Sequence, residues 1–291
     1  MTSKNNMFKG IITALITPLD NGKIDYDAAL NLLKLQIENK ILSIVVGGST
    51  GEGSLLLEKE YYDLIKFCKQ NSANNLNIIA GIGGQSTNSA VNRAIAAADF
   101  GADGIMCSIP AYIKPTQEGI YQHFKAIHDN CSLPIMLYSH PGRAGVDMDD
   151  NTILKLANLE RVIAFKDAGS EISRATRIRA KAKSDFNLLS GDDLNFLSYI
   201  ANGGVGLVSV LANIKPAIFQ TMYNHCLQGN FFEAFKLQSS LQDLYQALAK
   251  ETNPIGIKYA AATLGLCNNE LRLPLTPLAQ EYRQAIDSLL K

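Results

Sequence analysis

Short apolar runs rich in β-branched residues recur along this chain, and stretches with a helical pattern separate them. The runs are apolar on both faces, which is typical of parallel strands covered by helices. Eight such runs precede residue 213, and eight strand–helix repeats are the number that closes into a (β/α)8 TIM barrel. The predicted strands are residues 11–16, 43–46, 77–80, 104–107, 134–138, 162–165, 187–189 and 206–210.

The pattern changes after the eighth run. Residues 216–248 and 253–266 are predicted to be helical, without a strand between them, so the barrel is expected to carry a C-terminal helical appendage. No linker rich in Ser, Gly or Pro separates the two parts. We therefore expect a barrel over residues 1–213 and helices over 214–291 that pack on it as one domain unit. A doubly wound open sheet is the alternative, but the chain has no dinucleotide fingerprint to support it.

Charge and cysteine usage exclude several classes of partner. Lys plus Arg equals Asp plus Glu at 27 each, so no excess of positive charge is available for a nucleic acid backbone. No apolar run approaches the roughly 20 residues that span a bilayer, and the polar N-terminus lacks the apolar stretch of a signal peptide. The five cysteines have no paired spacing, which is typical of reduced thiols. We expect a cytoplasmic protein that binds neither nucleic acid nor membrane.

Catalytic groups of such barrels lie at the carboxyl ends of the strands, and Lys166 follows directly after the apolar run 162–165. Burial there would lower the pKa of its amine and make it a nucleophile toward carbonyl groups. Tyr138 ends the preceding predicted strand, where its phenol could transfer protons in the same cavity. The structural alternatives are a lysine that reaches water and a tyrosine packed in the core.

The glycine-rich segment 47–53 has three interpretations. A nucleotide-binding loop requires a lysine after its last glycine, whereas Ser54 follows Gly53. A Gly-x-Ser-x-Gly nucleophile elbow fits Ser49, but it also needs an acid and then a histidine further along the chain. Of the four histidines, only His140 lies in a loop where it could be catalytic. The third interpretation is a loop whose N–H groups and hydroxyls bind a small carboxylate. Arg143 could bind a second carboxylate through two parallel hydrogen bonds, or could be an ordinary surface arginine.

Metal and dinucleotide cofactors are not expected. Asp167, Asp192 and Asp193 are carboxylates at predicted strand ends, but the histidines are dispersed and form no ligand set with them. The segment 81–86 lacks the third glycine of a dinucleotide-binding turn.

Together these motifs resemble the dihydrodipicolinate synthase (4-hydroxy-tetrahydrodipicolinate synthase) family, within the pyruvate-dependent aldolases that include N-acetylneuraminate lyase. The resemblance covers nearly the whole chain, and several motifs in the same order are more specific than any one of them. They are Gly-Ser-Thr-Gly-Glu at 48–52, Lys-Pro-Thr-Gln-Glu-Gly at 114–119, Tyr138 to Arg143, Phe-Lys-Asp at 165–167, Ser-Gly-Asp-Asp at 190–193 and Asn-Pro-Ile at 253–255.

The resemblance implies a role for each matching residue. Lys166 is expected to form a Schiff base with pyruvate, and Tyr138, Ser49 and Tyr112 to relay protons, with Tyr112 reaching into the neighbouring subunit's site. The expected substrate contacts are Thr50 with the pyruvate carboxylate, Arg143 with the carboxylate of aspartate semialdehyde, and the backbone at Gly191 and Val208. Ser49 departs from the more usual threonine but retains the hydroxyl.

Arg143 favours the synthase over a sugar-acid lyase of the N-acetylneuraminate lyase type, because those lyases typically lack this arginine. The resemblance therefore implies condensation of pyruvate with aspartate semialdehyde, without a cofactor, in the diaminopimelate and lysine pathway. A sugar-acid lyase and a catalytically silent barrel that binds carboxylates remain alternatives.

Regulation and assembly follow from the same resemblance. Family members are usually homotetramers built as dimers of dimers. Lysine-inhibited members carry His, Asn, Glu and Tyr around an allosteric lysine, whereas the matching positions here are Glu58, Tyr61, Gln85, Ser89 and Ala111. We therefore expect weak or absent inhibition by lysine.

Overall fold

The computed structural model describes residues 6–72, 76–84, 86–169 and 171–291. Within them, eight parallel strands close into a barrel in chain order, because the first strand pairs with both the second and the eighth. The predicted barrel is therefore confirmed. The strands are β1 Gly10–Ala14, β2 Ser43–Val46, β3 Asn77–Ile82, β4 Gly104–Ser108, β5 Ile135–Ser139, β6 Val162–Asp167, β7 Asn187–Ser190 and β8 Gly206–Ser209.

Alternate residues of each strand fill two separate cores, which explains why the strands are apolar on both faces. Side chains such as Ile12, Met136 and Ala164 fill the barrel interior. Their neighbours, such as Leu137 and Phe165, point outward and pack against the helices. This alternation places Lys166 on the inner face of β6, two residues after Ala164.

The helices around the barrel begin at side chains that accept hydrogen bonds from the first turn, as preferred N-cap residues do. Asp25, Ser86, Thr116 and Asp149 cap four of them in this way. A short antiparallel hairpin, Leu19–Asp20 with Lys23–Ile24, lies between β1 and the first helix. The helices are α1 Tyr26–Glu38, α2 Glu58–Asn71, α3 Thr87–Asp99, α4 Gln117–Asn130, α5 Pro141–Ala144, α6 Asp150–Leu156, α7 Arg174–Arg179 and α8 Phe196–Ala201.

The C-terminal appendage differs in detail from the sequence prediction. The predicted helix over 216–248 is divided into three helices. The first of them ends just before Gly229, which adopts a left-handed φ of 76°. A short 3-10 turn, Leu211–Asn213, leads from β8 into the appendage. The helices of this part are α9 Pro216–Leu227, α10 Phe231–Ser240, α11 Gln242–Leu248, α12 Ile255–Thr263 and α13 Gln280–Leu290. Among the described residues, no helix is both long and apolar enough to cross a membrane.

Candidate active site

Strand register brings Lys166 and Tyr138 side by side at the carboxyl end of the barrel. Tyr138 of β5 is the direct partner of Lys166 of β6, and the lysine Nζ lies 4.2 Å from the centroid of the tyrosine ring. Lys166 is the penultimate residue of its strand rather than the first residue after it, so it points into the barrel and is only 6% exposed. The alternative of a solvated lysine does not describe Lys166. The Tyr138 ring does pack in the barrel-interior core, as its own alternative expected, but it lies there beside the amine.

The Lys166 amine is prepared electrostatically for nucleophilic attack. Burial lowers its pKa to about 8, while the negative charge of Asp193 opposes that shift and the positive charge of Arg143 adds to it. Asp193 is itself buried, and burial raises its pKa to about 6. The Ser209 hydroxyl and the Val210 N–H, at 3.0 Å, donate to its two oxygens. At neutral pH the amine therefore has an accessible neutral form.

Tyr138 is a neutral phenol at the same pH. Burial raises its pKa to about 12, although the Arg143 charge and a side-chain hydrogen bond with Ser49 both lower it. A phenol in this state can donate a proton to a departing hydroxyl and recover it from a neighbouring hydroxyl. The pairing with Ser49 therefore provides the start of a proton relay.

The loop after β2, residues 47–53, has the compact shape required to present the Ser49 and Thr50 hydroxyls at the barrel mouth. Gly47 has a left-handed φ of 64°, and a Cβ at Gly53 would lie only 1.7 Å from the Gly47 carbonyl oxygen. Thr17 fixes the middle of the loop by donating from Oγ1 to the Gly51 carbonyl at 2.7 Å. Thr50 is buried within this loop.

Asn253, from the segment before α12, joins two of the expected substrate-binding residues. Its side-chain Nδ2 donates to Thr50 Oγ1 at 2.9 Å, and its backbone carbonyl oxygen accepts from Arg143 Nη2 at 2.8 Å. Arg143 lies on the short helix α5 and is otherwise exposed, so most of its five N–H donors can reach the cavity. No role was assigned to Asn253 from the sequence, because 203 residues separate it from Thr50.

Two of the cavities at the barrel mouth share Ser49, Tyr138 and Arg143 in their linings. The smaller, of about 140 Å³, has the size of a small organic acid, and its lining includes Ser49, Thr50, Tyr138, Arg143, Lys166 and Gly191. The larger, of about 570 Å³, extends from Ser49 and Tyr138 toward α3, and the charged residues that line it are Arg93 and Arg143. Cations without facing carboxylates in the lining favour anionic ligands.

Two predicted site residues, Tyr112 and Val208, do not line the cavities at the barrel mouth of their own chain. Tyr112 is 85% exposed, with a left-handed φ of 73°, and does not line the pocket of its own chain. Val208 is buried in the barrel interior, and Val210 lines the pocket instead.

The serine-elbow hypothesis receives no support from the geometry. Within the described residues, Ser49 pairs with Tyr138, and no hydrogen bond joins it to a histidine. The same part of the chain has no group of three or more His, Cys, Asp or Glu side chains that could hold a metal ion.

Comparison with known proteins agrees with these observations. The model of the dihydrodipicolinate synthetase family matches residues 7–291. A 4-hydroxy-tetrahydrodipicolinate synthase of Rickettsia typhi is 45% identical over 98% of this chain and 97% of its own. The crystal structure of dihydrodipicolinate synthase from Aquifex aeolicus superposes with a TM-score of 0.95 at 37% identity over 97% of both chains. The chloride-inhibited enzyme from Acinetobacter baumannii, solved with pyruvate, has a TM-score of 0.94 at 36% identity over 97% of this chain and 98% of that one. With the barrel, the buried lysine and its tyrosine partner, these matches show that this chain belongs to the dihydrodipicolinate synthetase family.

Proposed function

We propose that this protein is a Schiff-base-forming lyase that condenses pyruvate with L-aspartate 4-semialdehyde, the reaction of 4-hydroxy-tetrahydrodipicolinate synthase in diaminopimelate and lysine biosynthesis. The observation that carries the proposal is the pair formed by Lys166 and Tyr138. A buried amine with a lowered pKa lies beside a neutral phenol at the base of a small pocket. Imine chemistry requires such a nucleophile and such an acid.

In the first half of the reaction, the neutral Lys166 amine attacks C2 of pyruvate. Tyr138 gives its proton to the departing hydroxyl, so that water leaves and an iminium forms. The pyruvate carboxylate is held by the Thr50 hydroxyl and the adjacent loop N–H groups. Asn253 accounts for one acceptor site of that hydroxyl, which leaves the O–H proton to the substrate.

In the second half, the iminium withdraws electrons, and the Tyr138 phenolate left by the first half takes a methyl proton from C3 to give an enamine. C3 attacks the aldehyde carbon of the second substrate, and Tyr138 supplies the proton to the new alkoxide. The amino group of that substrate then attacks C2, closes the ring and releases Lys166. Arg143 orients the second substrate through its carboxylate.

The decisive experiment traps the Schiff base. The protein is incubated with pyruvate and borohydride, and the reduced adduct is mapped by mass spectrometry in the wild type, in Lys166→Ala and in the exposed-lysine control Lys59→Ala. An adduct on Lys166 that survives in Lys59→Ala supports the proposal. A wild-type protein without an adduct would refute it and leave a silent carboxylate-binding barrel.

Turnover assays then identify the second substrate. Activity with aspartate semialdehyde, and none with N-acetylneuraminate, is expected because Arg143 contributes a fixed cation to the larger cavity. The opposite pattern would assign a sugar-acid lyase that uses the same Lys166.

We further propose that the barrel (1–213) and helices (214–291) form one domain unit, that the protein works in the cytoplasm, and that it is a tetramer of two dimers. Tyr112 projects from its own chain, so its hydroxyl is proposed to complete the proton relay of a partner subunit. Mixing Tyr112→Phe with Lys166→Ala tests this directly. Each mixed dimer would contain one intact site, made of Lys166 from one subunit and Tyr112 from the other, so activity should reappear on mixing. A mixture that stays inactive, or a monomer that is fully active, would contradict the proposal.

A further inference from the structure

A charged pair is enclosed between the barrel and the appendage, away from the reacting groups. Lys258 of α12 donates from Nζ to Glu52 Oε1, and both side chains are completely inaccessible to solvent. The other carboxylate oxygen, Oε2, accepts the backbone N–H of Arg272 at 2.9 Å. Both oxygens of Glu52 are therefore bound by the segment that follows the barrel.

Stability alone is a poor explanation for this pair. The cost of removing two charges from water usually cancels their attraction, and apolar residues of similar volume often stabilise a fold equally well. The pKa of Lys258 shows this desolvation cost, because burial lowers it even though the Glu52 carboxylate beside it acts to raise it. A buried ion pair instead fixes one geometry, because its two ends tolerate little displacement.

The geometry that it fixes belongs to the substrate-binding loop. Glu52 lies two residues after Thr50, and its backbone has a left-handed φ of 54°, which is unfavourable for a residue with a side chain. Its N–H donates to the Ser49 carbonyl at 3.2 Å and closes the turn that presents both hydroxyls. The appendage also holds Thr50 itself, through Asn253 at 2.9 Å.

We propose that Glu52 and Lys258 are positioning residues: their buried ion pair holds the 47–53 loop in its left-handed turn and so places Thr50 to bind the carboxylate of the keto acid. This inference rests on the proposed function, since it assigns the carboxylate to Thr50. The appendage thereby becomes part of the substrate-binding machinery. A purely structural pair would affect thermal stability and leave substrate affinity unchanged.

The test separates binding of the two substrates. A loosened loop weakens the contact with pyruvate before and during imine formation, so KM for pyruvate should rise about tenfold or more. Arg143 lies on α5, outside the loop, so KM for the semialdehyde should stay within about twofold. At saturating pyruvate, the borohydride adduct on Lys166 should reach the wild-type yield, because the nucleophile is intact.

Three variants carry the measurement: Lys258→Met, Glu52→Gln and the double variant with both changes. A single variant leaves one buried charge unpaired and can fail to fold, whereas the double variant leaves none. We expect the double variant to melt within a few degrees of the wild type and to retain the raised KM for pyruvate. The matched control is Tyr259→Phe, which removes a hydrogen bond from the next residue of α12 to Asp287 on α13, away from the loop.

A double variant with wild-type KM for pyruvate would overturn the inference, whatever its stability. So would an equal rise in both KM values, or the same rise in Tyr259→Phe. Failure of the proposed function is distinguishable, because in that case the wild-type protein itself forms no adduct with pyruvate.

Discussion

The lowered pKa of Lys166 leads to a specific pH dependence of imine formation. With a pKa of about 8, roughly a tenth of the amine is neutral at pH 7, whereas an amine at its ordinary 10.5 is neutral in fewer than about one molecule in a thousand. The shift corresponds to about 3 kcal/mol between the charged and neutral forms. Burial thus accounts for a rate gain of about two orders of magnitude at neutral pH.

The assay measures the initial rate of borohydride-trapped adduct formation at subsaturating pyruvate across the pH range. The rate should rise about tenfold per pH unit below the midpoint and level off above about pH 8. Asp193→Asn should move the midpoint to lower pH, because the Asp193 charge raises the pKa of Lys166. Arg143→Met should move it to higher pH, because the guanidinium lowers that pKa.

Two results would refute the reasoning. A rate that still climbs at pH 10 would mean that the amine titrates near its ordinary pKa and is not desolvated in solution. Midpoint shifts of the same sign in Asp193→Asn and Arg143→Met would mean that structural disturbance, rather than charge, produces them.

Stability and regulation give three further predictions. Lys166→Met should raise the free energy of unfolding at pH 7 by up to about 3 kcal/mol in urea titrations, because it removes a buried charge. The pKa of Lys166 is lower in the folded than in the unfolded protein, so the charged amine destabilises the wild type fully below about pH 8. The difference between variant and wild type should vanish above about pH 10.5, where the amine is neutral in both states. Gly47→Ala should lower that free energy by at least about 1–2 kcal/mol, since φ is 64° and the added Cβ would lie 2.3 Å from Tyr61 Cε2; unchanged urea stability would contradict this. Lysine should inhibit turnover weakly or not at all, because Glu58, Tyr61, Gln85, Ser89 and Ala111 occupy the positions that match the effector site of lysine-inhibited relatives. Half-inhibition by submillimolar lysine would refute this prediction.

The structure shows the surroundings of several residues at the positions that match the lysine site of lysine-inhibited family members. Tyr61 is fully buried, donates its hydroxyl to the Gly81 carbonyl at 2.9 Å and carries the Arg93 guanidinium 3.8 Å above its ring. Ser89 and Ala111 line the cavity without a charge. Gln85 lies outside the described residues.

The fold was predictable from the sequence because its signals are local. Each strand is buried on both faces, so each appears as a short apolar run, and the helices between them have their own period. Lys166 was identifiable for the same reason, as a charged residue at the end of such a run. Boundaries were less accurate: the single helix expected over 216–248 is interrupted at Gly229, because a left-handed glycine ends a helix without changing the apolar pattern around it.

The arrangement of the site was decided by tertiary structure, because its contacts join residues far apart in the chain. Barrel closure and strand register put Tyr138 opposite Lys166. Burial of the amine inside the barrel mouth lowers its pKa. Asn253 reaches Thr50 across 203 residues, and Lys258 reaches Glu52 across 206. A sequence pattern records which residues are apolar or charged at each position. It does not record which distant partner removes water from a charge, and that partner determines whether a lysine is a surface cation, half of an ion pair or a nucleophile.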